Sequence, residues 1–97
     1  MTTAEWKKKY KDYSEKHAVH DMPDRGYGIS GYLDRLAGHY TGYYVHRAVA
    51  IRAAQYLANA TRENVDLVEI QDHGNRRFVI GEVTPDPFDK FQNNEEG

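Results

Sequence analysis

The chain has 97 residues, of which 39% are apolar and 29% charged, with a formal net charge of -2. That length is one domain with one core, and that composition is of the globular class. The absence of cysteine excludes disulfide staples, thiolate zinc sites and cysteine nucleophiles, and no apolar run approaches the ~20 residues of a membrane span.

The N-terminus, MTTAEWKKKY, has no apolar segment of the signal-peptide type, so a cytoplasmic address is expected. Residues 1–62 carry 10 Lys and Arg against 6 Asp and Glu, and residues 63–97 carry 3 against 9. The chain is therefore basic first and acidic last. The two parts attract each other, or one of them presents a charged surface to a partner of opposite sign.

Thr2-Thr3-Ala4-Glu5 has the order of a capping box, and predicts a helix from there to about His17. Trp6, Tyr10, Tyr13 and His17 fall at i, i+4, i+7 and i+11, which makes one aromatic stripe on a charged rod. So narrow a stripe predicts docking by one edge. Residues 18–30 read as a loop, because Pro23 disfavours helix at Met22 and Gly26 and Gly28 loosen the backbone.

Two patterns in this stretch have chemical readings. His17, His20, Asp21 and Asp24 combine imidazole and carboxylate, a donor set that suits zinc, manganese or iron. The order H-x-x-H-D resembles, in residue types alone, the ligand set of HD-type phosphohydrolases. Those ligands come from several helices of a much longer domain, so the activity is not carried over. Gly26-Tyr-Gly28-Ile-Ser-Gly31 matches G-x-G-x-x-G, but no strand is expected before it and a dinucleotide fold does not follow. No cofactor is implied.

Ser30 can cap a short helix over 31–39, and Gly38 and Gly42 predict a break before the next element. The segment 43–60, YYVHRAVAIRAAQYLANA, is apolar on two sides at helical spacing. Val45, Val49, Ala53, Tyr56, Leu57 and Ala60 share one side, with His46 among them as an expected core histidine. Ile51, Ala54 and Ala58 lie nearly opposite, beside Arg47. The first side belongs to the core; the second is a contact surface for a partner or the seat of the N-terminal helix.

After Asn64 the period changes from 3.6 to 2. VDLVEIQD and RRFVIGEV flank His73-Gly74-Asn75 and predict a hairpin. A three-residue loop pairs Asp72 with Arg76, Ile70 with Phe78 and Val68 with Ile80. That register is chosen because it puts the apolar residues on one face, whereas a four-residue loop sets Glu69 opposite Phe78. Residues 85–97 read as an acidic tail.

The expected fold is α+β: two or three helices packed against a C-terminal antiparallel β-hairpin, as one domain over 1–84. No serine, histidine and acid arrangement stands out for nucleophilic catalysis. The leading expectation is a small non-catalytic protein-interaction module, acting as adaptor, regulator or inhibitor. Tyr27, Tyr32, Tyr43, Arg47, Ile51, Ala54 and Ala58 are its candidate contacts. Self-association through Ile51, Ala54 and Ala58 is one version, and a strand edge pairing with a partner strand is another. The alternatives are a nucleic-acid-binding module using Lys and Arg of the helices with interleaved tyrosines, and a metal-dependent hydrolase at His17, His20, Asp21 and Asp24.

Overall fold

A computed structural model describes residues 1–21, 23–29 and 43–87. Helix α1 spans Thr3–His17, within one residue of the expected start. Thr2 sits outside it in an extended conformation, and its hydroxyl accepts the Glu5 backbone N–H at 3.1 Å. The Glu5 carboxylate in turn accepts the Thr2 backbone N–H at 2.7 Å. Two otherwise orphaned donors are satisfied reciprocally, which fixes the helix start. Replacing Thr2 by alanine is expected to cost about 1 kcal/mol, read as a lower denaturant midpoint with the same slope.

Helix α2 spans Arg47–Thr61, so the expected start at Tyr43 is corrected. Backbone pairing claims the first residues. Val19 and Tyr43 exchange N–H to carbonyl bonds at 2.7 Å in both directions, and Tyr27 and Tyr44 do so at 2.8 Å. Tyr43 and Tyr44 are thus extended, and the helix waits until His46 is the N-cap. His46 is exposed there rather than in the core. At the far end Arg62 turns left-handed at φ 62°, and its N–H donates to the Ala58 carbonyl at 2.8 Å, a common way to stop a helix.

Both apolar sides of α2 are covered within one copy, except at the margin. Ala50, Ala53, Ala54, Leu57 and Ala58 are completely buried and join Tyr10, Tyr44, Val65 and Leu67 in one core. α1 packs on α2, and so does the sheet. Alanine makes this possible, because a methyl group lets neighbouring elements approach closely. Ile51 alone of the second side stays out, 40% exposed.

Three strands form one antiparallel sheet in the order β1-β2-β3: Gly26–Ile29, Val65–Gln71 and Arg76–Val83. The α+β class holds, but the expected hairpin is two strands of three. β1 lies in the stretch read as a loop, where it pairs Tyr27 with Glu69 and Ile29 with Leu67. Gly26 is there for space: a Cβ on it would lie 2.8 Å from the Tyr44 carbonyl oxygen and 2.6 Å from Pro23 Cγ. Gly26 and Gly28 are therefore strand residues and not a phosphate-binding turn.

The hairpin register is also corrected. Gln71 pairs with Arg76 and Glu69 with Phe78, so the loop is the four residues Asp72–Asn75. Asp72, His73 and Gly74 are left-handed in succession, at φ 53°, 52° and 89°. Contacts hold this tip in place: His73 N–H donates to the Asp24 carbonyl at 3.2 Å, and His73 Nδ1 lies 2.9 Å from Asp24 Oδ1. Further along, the register slips at Leu67/Val68, where Ile80 is the extra residue of a bulge on β3. Beyond it Leu67 pairs with Gly81 and Val65 with Val83, the register a three-residue loop would set. The bulge thus returns the far half of the hairpin to that register, while Ile70 and Phe78 stay unpaired with each other.

The chain after β3 is tied back to α2. Asn59 is buried, and its Oδ1 accepts from the Asp86 backbone N–H at 2.7 Å and from Gln55 Nε2 at 3.0 Å. Gln55 Nε2 also donates to the Thr84 carbonyl at 2.9 Å. The expected tail therefore begins with residues fastened to the domain, and its part from 88 on lies outside the described residues. Asn59→Ala removes the buried oxygen that accepts from both Asp86 N–H and Gln55 Nε2 and should cost about 1–3 kcal/mol in a denaturation experiment.

Candidate interaction surface

β3 is the outer strand of the sheet, eight residues long, and among the described residues no strand pairs with its far edge. Its residues are exposed apart from the half-buried Ile80 and Val83. Phe78 is 48% exposed and Val79 67%, side by side at the middle of the strand. A long edge strand with apolar side chains is a template for another strand, and proteins that must avoid pairing blunt such edges with proline, charged side chains or bulges. β3 contains no proline or lysine, and its one bulge, at Ile80, leaves Phe78 and Val79 exposed. Its charges are at the ends: Arg76 and Arg77 first, Glu82 near the last.

A second feature lies between the helices. Tyr56 of α2 meets Trp6 at 5.8 Å between ring centroids and Tyr13 edge-on at 5.4 Å, and Lys9 Nζ stands 5.4 Å from its ring centre. On one side of Tyr56 is an open groove of about 430 Å³ lined by Ala48, Ile51, Arg52 and Gln55. Tyr56 also lines a smaller open groove, of about 270 Å³, with Lys9, Asp12, Tyr13 and Lys16. Aromatic rings beside cations suit stacking with bases as well as contact with protein. Lys8 is held by Asp12 at 3.0 Å, which lessens the positive character of this face.

The described residues among those expected at a partner surface are not brought together. Ala54 and Ala58 are completely buried, so they are not on offer to a partner. Ile51 and Arg47 are exposed on α2. Tyr27 and Tyr43 are half-buried, their backbones engaged by Tyr44, Glu69 and Val19. Tyr32 lies outside the described residues, as do the helix expected over 31–39 and the break at Gly38–Gly42.

The four candidate metal ligands do not converge either. Among the described residues no group of three or more His, Asp or Glu side chains is placed to hold a metal ion. His17 packs on Tyr13 with ring centroids 4.3 Å apart and the planes tilted by 43°, and Asp24 faces His73 instead of His17 or His20. His20 and Asp21 are exposed. Asp24 and Asp72 do line an open pocket of about 380 Å³, but Arg25 and Arg76 line it as well, so it carries both signs equally.

The chain matches no family model, no curated protein and no solved structure. Its own geometry is therefore the guide to its role. The expected hairpin sets Phe78 on a face to be covered and does not single out Val79, yet both are exposed. The signal was nonetheless present: Phe78-Val79-Ile80 are three apolar residues in a row, and a strand cannot put all three on one face. No helix among the described residues is long and apolar enough to cross a membrane.

Proposed function

We propose that the chain is a small non-catalytic protein-interaction module that receives a partner strand along the free edge of β3. The observation that carries this reading is the eight-residue outer strand with Phe78 and Val79 exposed at its centre. Main-chain hydrogen bonds along such an edge supply affinity, and the alternating side chains supply selectivity.

The test uses the full chain as bait in its native cell, alongside a Phe78→Lys/Val79→Lys variant. Lysine on an edge disfavours strand addition, and both positions are exposed enough for the fold to tolerate it. The reading expects a partner held by the wild type and lost by the variant at unchanged melting temperature. Hydrogen exchange on the isolated complex should then show new protection within residues 76–83. A partner held equally by both baits contradicts it.

The Tyr56 grooves favour a second reading, nucleic-acid binding, through the cations beside Trp6, Tyr13 and Tyr56. Salt-sensitive retention on single-stranded nucleic acid, lost in an Arg47→Glu/Arg52→Glu variant, would support that reading over the first.

A further inference from the structure

We propose that the strand received by β3 is β3 of a second copy, paired antiparallel about a two-fold axis normal to the sheet and passing near the bulge at Val79 and Ile80. This rests on the reading of the β3 edge as a binding edge, and names its occupant.

Charge is the first argument. β3 begins with Arg76-Arg77 and has Glu82 near its end. Antiparallel pairing of two copies brings the basic end of each against the acidic end of the other. Parallel pairing would set like charges together.

The bulge supplies the second. Before Ile80, Arg77 pairs with Ile70 and Phe78 with Glu69; after it, Gly81 pairs with Leu67 and Glu82 with Asp66. Directly opposed residues share a face, and alternate residues of β2 share one too. Arg77 and Glu82 therefore lie on one face of the sheet, and Phe78 and Gly81 on the other. Without the extra residue, positions 77 and 82 would fall on opposite faces. A regular partner strand cannot keep phase with β3 on both sides of Ile80. A second copy can, because its own bulge meets the first at the axis.

Shape is the third. In this register Arg77 faces Glu82 of the second copy, and Phe78 faces Gly81 of the second copy, twice over by symmetry. Among the described residues a Cβ built on Gly81 would meet nothing within 4 Å, which leaves space on that side for the second copy's Phe78. The result is one six-stranded sheet with a β1 at each end. Both β3 edges are consumed, so the assembly closes as a dimer and does not continue into a fibre.

The test is sedimentation of the full chain over a range of concentrations and salt. The wild type should be a dimer. Arg77→Glu should weaken dimerisation about tenfold or more at low salt, since it sets like charges opposite each other at two places. Glu82→Arg should do the same, and the double reversal Arg77→Glu/Glu82→Arg should restore the dimer. Arg77 Nε also makes a long 3.3 Å bond to the Gly74 carbonyl, so circular dichroism must show each variant folded. A wild type that stays monomeric at its highest soluble concentration overturns the proposal, as does a dimer indifferent to Arg77→Glu. In either case the Phe78→Lys/Val79→Lys bait decides separately whether the edge serves a different protein.

Discussion

Replacing Ala54 by glutamate is expected to unfold the protein or bring it close to unfolding. Ala54 has no exposed surface and stands among Ala50, Ala53, Leu57 and Ala58. Glutamate adds four heavy atoms beyond Cβ, three of them a carboxylate, and among the described residues of that core there is no cation to meet it. Overpacking alone costs about 1–3 kcal/mol. Burying the carboxylate adds more, or forces it to take up a proton. A loss above about 4 kcal/mol is expected, against a total of roughly 5–15 kcal/mol for a domain. Urea denaturation followed by circular dichroism measures it. Ile51→Glu is the control on the same helix: with 40% of the residue already exposed, its midpoint should move little. Equal tolerance of both changes would mean that the second side of α2 is open after all.

Tyr44→Ala should have a loss of similar size by a different route. The ring is completely buried in the core, and its hydroxyl lies 2.8 Å from Ser14 Oγ of α1, a buried hydrogen bond across 30 positions of sequence. Its backbone also bridges to Tyr27 of β1. One residue thus ties α1 and β1 to the core formed with α2. Removing so large a buried aromatic side chain costs about 3–5 kcal/mol through lost burial and the cavity left behind. Tyr44→Phe keeps the ring and removes only the hydroxyl, so it should cost about 0.5–1.5 kcal/mol unless Ser14 finds no other partner. The contrast between the two variants separates packing from hydrogen bonding, and both are read from chemical denaturation.

Local rules governed what the sequence could show. α1 was legible because its cap, its charges and its aromatic stripe are all encoded within a few residues of one another. The change of period after Asn64 likewise marked β2 and β3. β1 was hidden because its residues alternate glycine with Tyr27 and Ile29, and glycine carries no hydropathy signal of its own. Gly26 is required by the approach of the Tyr44 backbone, a contact between chain segments far apart in sequence. The same long-range pairing delayed the start of α2 past Tyr43 and Tyr44. The hairpin loop depended on Asp24, which no pattern within 65–83 contains.

The candidate surface was legible in part for related reasons. Helical periodicity correctly marked α2 as apolar on two sides, but it does not say what covers them. Here α1 and the sheet cover Ala54 and Ala58, and only Ile51 stays outside. The edge of β3 was anticipated as a mode of pairing. Its exposed pair, Phe78 and Val79, was not singled out, and the four-residue loop and the bulge depart from the register that the apolar pattern favours.

We propose the rim of the sheet, rather than the exposed Ile51 on α2, as the surface for association. The most direct test compares association by two single variants, Val79→Lys on β3 and Ile51→Glu on α2, with sedimentation for the second copy and capture for any other protein. Val79→Lys is expected to lose association while Ile51→Glu keeps it, both remaining folded. Association lost with Ile51→Glu and kept with Val79→Lys would contradict it.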